Sequence, residues 1–279
     1  MSVKIVTDSC SDITQDEAKK WGITVVPAYV HFGNQVYRDG VDIDSDQFYE
    51  KLASSTIHPS TAAPSPGDFA KVYEQIAKGK NEIVSIHVTR KHSAMYDAAR
   101  VGKSIASEKG AKIEVIDSRG VTAWQGKVAM AAAQAARAGS SLRHVIDMAN
   151  KTISRLHALA LLDTLRYVVR GGRVGNTIFT IESKLNIKPL ITLVNGEIRP
   201  AGIVRSRAGG IERLREFITK TAIADITIVH SLAAEDAQSL AEFTRSLFPD
   251  IKPRIDKLGP VLGVHAGPGA LAIIAMSET

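Results

Sequence analysis

Short apolar runs alternate with amphipathic stretches along most of the chain, the pattern of strands interleaved with helices. Residues 3–7 form an apolar run that ends in the polar cluster Asp8, Ser9, Cys10, Ser11 and Asp12, which predicts a strand and a loop. Thr14 and Glu17 have the spacing of a capping box, so a helix is expected to Trp21. Residues 23–30 and 35–37 flank Gly33 and Asn34 and predict a hairpin. Helices are expected at 45–54 and from Pro66 to about residue 78. A buried strand at 82–88, a helix at 93–107 opened by Ser93, and a strand at 112–116 come next. An Ala-rich helix at 121–138 and a helix opened by Ser141 complete this half.

This alternation predicts a parallel sheet covered by helices on both faces, a three-layer α/β domain over residues 1–154. Ligands in such architectures sit beyond the carboxyl ends of the strands. Those ends are Asp8/Ser9, Thr89 to Ser93 and Asp117/Ser118, and Thr61 lies in a loop leading into a helix. The pattern then changes to a strand at 157–162, a short helix at 165–170 closed by Gly171 and Gly172, and a helix at 178–185. Hairpin arms at 188–194 and 197–205 flank Asn195 and Gly196. A helix at 209–221, a strand at 225–230, a helix at 234–247, a strand at 253–258 and an apolar last strand at 270–276 follow. The expectation is a second α/β domain with a mixed sheet over residues 155–279.

Composition narrows the class. With 44% hydrophobic and 23% charged residues in 279, the chain is an ordinary folded protein with material for a large core. No apolar run is long enough to span a bilayer and the amino terminus carries no signal-like apolar stretch, so no membrane insertion and a cytoplasmic location are expected. Cys10 is the sole cysteine, which leaves no internal disulfide and no multi-cysteine metal site. The net charge of +6 is concentrated: residues 166–215 hold ten Lys/Arg against three Asp/Glu. Such a patch suits a phosphate, an acidic partner or nucleic acid, or is a solvated face. Nucleic acid is disfavoured because aromatics are 5% and do not alternate with the basic residues.

The stretch TAAPSPGDF at 61–69 combines a hydroxyl, a stiff extended turn and a helix start. Pro64 and Pro66 restrict the backbone after Thr61, and Ser65, Pro66 and Asp68 read as N-cap, N1 and N3. It can hold a small polar group still, or be a well-capped loop with no ligand. Ser93, where a strand gives way to a helix, could receive an anionic oxygen or serve only as a cap. His265, followed by Gly267, Pro268 and Gly269, reads as an imidazole presented on a loop, or as an incidental histidine. Arg170, Arg173 and Arg205 supply the positive field, or plain surface charge. There is no nucleotide-binding glycine loop, no G-x-S-x-G elbow and no H-E-x-x-H spacing, so no cofactor and no metal are expected.

Taken together, these segments resemble the DegV family of bacterial fatty-acid-binding proteins, which includes the binding subunits of fatty acid kinase. The resemblance covers nearly the whole chain: VKIVTDSCSDIT at 3–14, TAAPSPGDF where the family favours T-S-Q-P-S-P-x-x-F, and VIDS at 115–118. It continues through LDTLRYVVRGGRVG at 162–175, LNIKPLITLVNGEIRPAGIVRSR at 185–207 and HAGPGALAI at 265–273. The resemblance implies a parallel α/β domain followed by a mixed one, with a long-chain fatty acid such as palmitate or oleate as ligand. It also implies that Thr61 and Ser93 bind its carboxylate, and that a separate ATP-dependent kinase phosphorylates it, as part of lipid transport or phospholipid metabolism. His265 would reach the carboxyl or acyl-phosphate end, while Arg205, flanked by Arg170 and Arg173, would face the kinase. The chain itself would then be a carrier and not an enzyme. One segment departs from the pattern: where the family has S-S-G-L-S-G-T-Y, this chain reads Thr89, Arg90, Lys91, His92, Ser93, Ala94, Met95, Tyr96. The implied mouth is more cationic. The rival expectation is a free-standing phosphotransferase or hydrolase that uses His265 as base, against which stands the absence of a paired nucleophile.

Overall fold

A computed structural model describes residues 2–79, 81–173 and 187–278. The first half opens with β1 (Val3–Asp8), a single 3-10 turn at Ser9–Ser11, α1 (Gln15–Trp21) and β2 (Ile23–Val26). The Thr14–Glu17 capping box is present, each side chain bonding to the other's backbone N–H. β6 (Glu82–His87) and β7 (Lys112–Asp117) complete a four-stranded parallel sheet in the order β2-β1-β6-β7. Its covering helices include α3 (Pro66–Ala77), α4 (Met95–Ser107), α5 (Ala123–Arg137) and α6 (Leu142–Arg155). The apolar run at 23–30 breaks at Pro27, which cannot donate to a ladder. Its second part becomes β3 (Tyr29–Phe32), which pairs with β4 (Gln35–Arg38) across the expected Gly33–Asn34 turn. After α2 (Ser45–Ser54), β5 (Ser60–Ala62) adds to the other edge of β3, with Thr61 opposite Val30.

The second half builds one mixed six-stranded sheet. β8 (Leu156–Leu161), β9 (Lys188–Val194), β10 (Glu197–Val204), β11 (Ile223–His230), β12 (Arg254–Lys257) and β13 (Leu271–Ser277) lie in the order β10-β9-β8-β13-β11-β12. Only β11 and β12 run parallel; the rest are antiparallel. α8 (Arg207–Lys220) and α9 (Ala234–Leu247) bury Leu214, Ile218, Leu240 and Ala241 against one face. The expected short helix is α7 (Arg166–Arg170), capped by Gly171. The helix expected at 178–185 lies outside the described residues.

The two halves share core. Ile5, Ile86, Val128 and Ala132 pack in one cluster with Ala158, Val229 and Ile274. α10 (Pro260–Ala266), from the second half, sits against α2, β3 and β5 of the first. A helix from one half is thus the floor on which the Thr61 strand of the other is laid. No helix among the described residues is long and apolar enough to cross a membrane.

Candidate functional site

β5 and α10 converge on one contact: Thr61 Oγ1 and His265 Nε2 are 3.1 Å apart. The imidazole is not presented by a loop, as its glycine-rich neighbours led us to expect. Gly259 and Pro260 start a helix before the HAGPG stretch, and His265 falls in its last turn. Burial, followed by the charges of Arg173 and His58, pushes the His265 pKa down to about 4, so the ring is neutral at pH 7. Its Nδ1 is buried with no hydrogen-bond partner among the described residues. Gly171 makes that position possible, because a Cβ there would lie 2.2 Å from Nδ1. His58 packs on the ring of Tyr167 at 5.7 Å, and burial together with Arg170 and Arg166 lowers its pKa.

The second hydroxyl comes from the β6–α4 loop. Ser93 does not open α4 directly: Ala94 is the capping residue, without a side-chain bond, and Ser93 Oγ accepts from Met95 N–H at 3.3 Å. Accepting leaves the hydroxyl hydrogen of Ser93 to donate elsewhere. Beside it, His92 Nε2 accepts from Ile198 N–H at 2.9 Å, and Thr89 Oγ1 donates to Gly196 O at 2.7 Å. Gly196 has φ +82°, and a Cβ on it would lie 2.5 Å from Thr89 Oγ1, so only glycine lets the β9–β10 turn dock here. Arg173 spans the junction, donating to the carbonyls of His92 at 3.4 Å and Gly171 at 2.6 Å.

Thr61, Ser93, His265, Arg173 and His92 all line one cavity, which holds about 1180 Å³ of empty space, its open mouth included. The rest of its wall is almost wholly apolar, with Ala28, Val88 and Met95 from the first half and Leu162, Val168 and Ile191 from the second. Cys10 also lines it, and burial, then Asp8, pushes its thiol pKa well above the usual value, so it is a small apolar wall group. Of the segments expected beside the ligand, Thr61 and the Thr89 to Ser93 stretch supply Thr61, His92 and Ser93 to this lining, whereas Asp8/Ser9, next to the lining Cys10, and Asp117/Ser118 are absent from it. Ser118 is buried and donates to Gly120 O instead. Arg170 and Arg205 do not line the cavity either. Both are exposed; Arg205 stands between β10 and α8, with no ion pair among the described residues. Of the three unusual basic residues, only His92 turns to the cavity, while Arg90 and Lys91 are exposed. The sequence marks Gly171 only as the end of a short helix and assigns no role to His58 or Tyr167; the part of Gly171 and Tyr167 follows from α7 packing on α10.

A polar relay runs beneath the loop. Asp8 Oδ2 lies 2.9 Å from His87 Nδ1, His87 Nε2 lies 2.7 Å from Ser85 Oγ, and Ser85 Oγ lies 2.8 Å from Tyr73 Oη. Its order imitates a carboxylate–base–nucleophile triad, yet Asp8, His87 and Ser85 are all 0% exposed and no substrate reaches them. Asp8 also accepts from Val88 N–H and Cys10 N–H, so the relay braces two backbone segments of the cavity wall. Thr61 and His265 have the spacing of a nucleophile and base, but no carboxylate orients Nδ1 among the described residues.

The sequence pattern of the DegV family, described as uncharacterised proteins, matches residues 2–278. This chain belongs to the DegV family. A DegV domain-containing protein of Caldanaerobacter subterraneus subsp. tengcongensis is 32% identical over 275 residues, 97% of either chain. Among solved structures, a DegV family protein of Thermus thermophilus, described for its fatty acid binding, superposes with a TM-score of 0.87 at 27% identity. That match covers 99% of this chain and 100% of the other. DegV of Bacillus subtilis, described as a fatty acid binding protein, gives a TM-score of 0.89 at 26% identity over the whole of both chains. The DegV architecture, a parallel sheet followed by a mixed one, is the architecture found here.

Proposed function

We propose that this protein binds a long-chain fatty acid in the cavity, with the carboxylate at Thr61 and Ser93 and the acyl chain along the apolar wall. The observation that carries the reading is one cavity whose otherwise apolar wall includes two hydroxyls and an arginine. Burying an acyl chain contributes about 0.8 kcal/mol per CH2, enough for tight binding without many polar contacts. The fatty acid binding described for the relatives from Thermus thermophilus and Bacillus subtilis supports it.

The neutral His265 has a defined part in this reading. With the proton on Nε2, it donates to Thr61 Oγ1 and frees the threonine hydroxyl to donate to the carboxylate. Ser93, whose oxygen already accepts from Met95 N–H, donates the second bond. Arg173 adds positive charge at the same end.

The same reading makes the chain the substrate-presenting partner of an ATP-dependent fatty acid kinase, inside the cell. Phosphoryl transfer to a carboxylate brings two anions together and calls for cations around the mouth. Arg205 and Arg170 are exposed outside the cavity, and in this reading they meet the partner rather than the ligand. Residues 1–154 and 155–279 are then the carboxylate-holding half and the basic half. Mass spectrometry of an organic extract of the purified protein tests the ligand: one acyl chain per protein supports the reading. An empty protein that takes up neither oleate nor palmitate overturns it.

A further inference from the structure

The Ser93 loop is tied to the other half of the molecule through three hydrogen bonds, and two of them end on His92. Among the described residues β10 is the edge strand of its sheet, and no described strand receives the Ile198 N–H that points to His92. A ring nitrogen that accepts an N–H must carry a lone pair, which puts the imidazole proton on Nδ1. His92 and Ile198 both line the cavity, so this bond closes the wall beside Ser93.

We propose that His92 is a positioning residue that latches the β9–β10 hairpin across the Ser93 end of the cavity while its ring is neutral, and releases the hairpin and the ligand on protonation. Imidazolium has an N–H on both nitrogens, so the Ile198 N–H would then face another donor. The charged groups around the ring are mixed. Lys91 belongs to its own loop, Glu197, itself paired with Arg199, to β10, and Arg173 to the segment after α7; Arg119 lies beside Gly196. Burial is the largest influence and lowers the His92 pKa, Glu197 opposes it, and Arg173 and Lys91 add to the lowering. The latch is therefore complete above the ordinary imidazole value and is lost as pH falls through the lowered one.

The inference rests on the fatty-acid reading, and the test separates the two. Wild type, His92→Gln and His92→Leu would be loaded with radiolabelled oleate, and release into phosphatidylcholine vesicles followed from about pH 7.5 to about pH 5. Glutamine can accept from Ile198 N–H at every pH, and any effect of the ligand's own carboxyl is common to all three. Wild-type release is expected to accelerate about fivefold or more relative to His92→Gln as pH falls, the factor for one hydrogen bond, with His92→Leu fast throughout. Equal pH profiles for wild type and His92→Gln, or slow release from His92→Leu at neutral pH, would overturn the latch. Amide hydrogen exchange at Ile198 in the ligand-free proteins reads the latch without any ligand. Protection lost at low pH in wild type but kept in His92→Gln supports it, and identical protection sinks it. Failure of all three proteins to load oleate would count against the fatty-acid reading alone.

Discussion

His265 Nε2 lies 3.1 Å from Thr61 Oγ1, although the two residues are 204 positions apart. A hydroxyl on a strand of the first half is thus oriented by an imidazole on a helix of the second. The polar end of the cavity exists only when both halves are assembled.

Gly171 sets the position of that imidazole. Gly171→Ala would put a Cβ 2.2 Å from Nδ1 and displace the ring, while its φ of −70° suits alanine. Overpacking of this kind costs about 1–3 kcal/mol. The variant should fold with a lowered Tm and bind oleate about tenfold or more weakly, measured by calorimetric titration. An unchanged affinity would show that the His265 ring does not orient Thr61.

Much of this arrangement was legible beforehand, for local reasons. The capping boxes at Thr14 and Ser65 and the Asn195–Gly196 hairpin stand as expected, because caps and tight turns are decided by neighbours in sequence. Residues 23–30 were legible as strand but not as two strands in different sheets, since only packing decides which sheet each side of Pro27 joins. His265 stands out in the sequence, but the helix that carries it does not. The glycines after it suggest a loop, while the helix start lies before it at Gly259 and Pro260. Gly171 is legible as a helix end but not as a neighbour of His265, and His58 is not legible at all, because both approaches come from tertiary packing.

Protonation of His265 should be penalised in the folded state. Its folded pKa of about 4 lies below the unfolded value near 6.5, so stability is full above about pH 6.5 and falls as pH drops towards 4. NMR titration should show this imidazole still neutral at about pH 5.5. In His265→Gln, the part of the acid sensitivity due to this ring should vanish from denaturation midpoints.

Asp39 should act with the opposite sign. It is 4% exposed, its Oδ2 has no partner among the described residues, and burial, helped by Asp8, raises its pKa to about 7. A raised carboxyl pKa means stability fully present below the unfolded value near 3.8 and lost as pH rises through about 7. Asp39→Asn should therefore gain more stability relative to wild type at about pH 8 than at about pH 5, by urea denaturation. An equal difference at both pH values would mean that Asp39 is ionised throughout.

Arg205 should matter for transfer and not for binding, since it is exposed and outside the cavity. Arg205→Ala loaded with oleate should keep wild-type affinity and slow acyl-phosphate formation by the cognate kinase about tenfold, the order expected for a lost charge contact at an interface. A wild-type rate would reduce this arginine to a solvated side chain.

If the Thr61 and Ser93 hydroxyls hold a fatty-acid carboxylate, calorimetric titration of delipidated protein with oleate reads it. Wild type should saturate at one oleate per chain. Thr61→Val and Ser93→Ala should each weaken binding about tenfold or more, because a hydrogen bond to a charged group contributes about 1.5–3 kcal/mol. The double variant should lose more than either, with its fold intact by circular dichroism. Equal affinity of the double variant and wild type would place the carboxylate elsewhere.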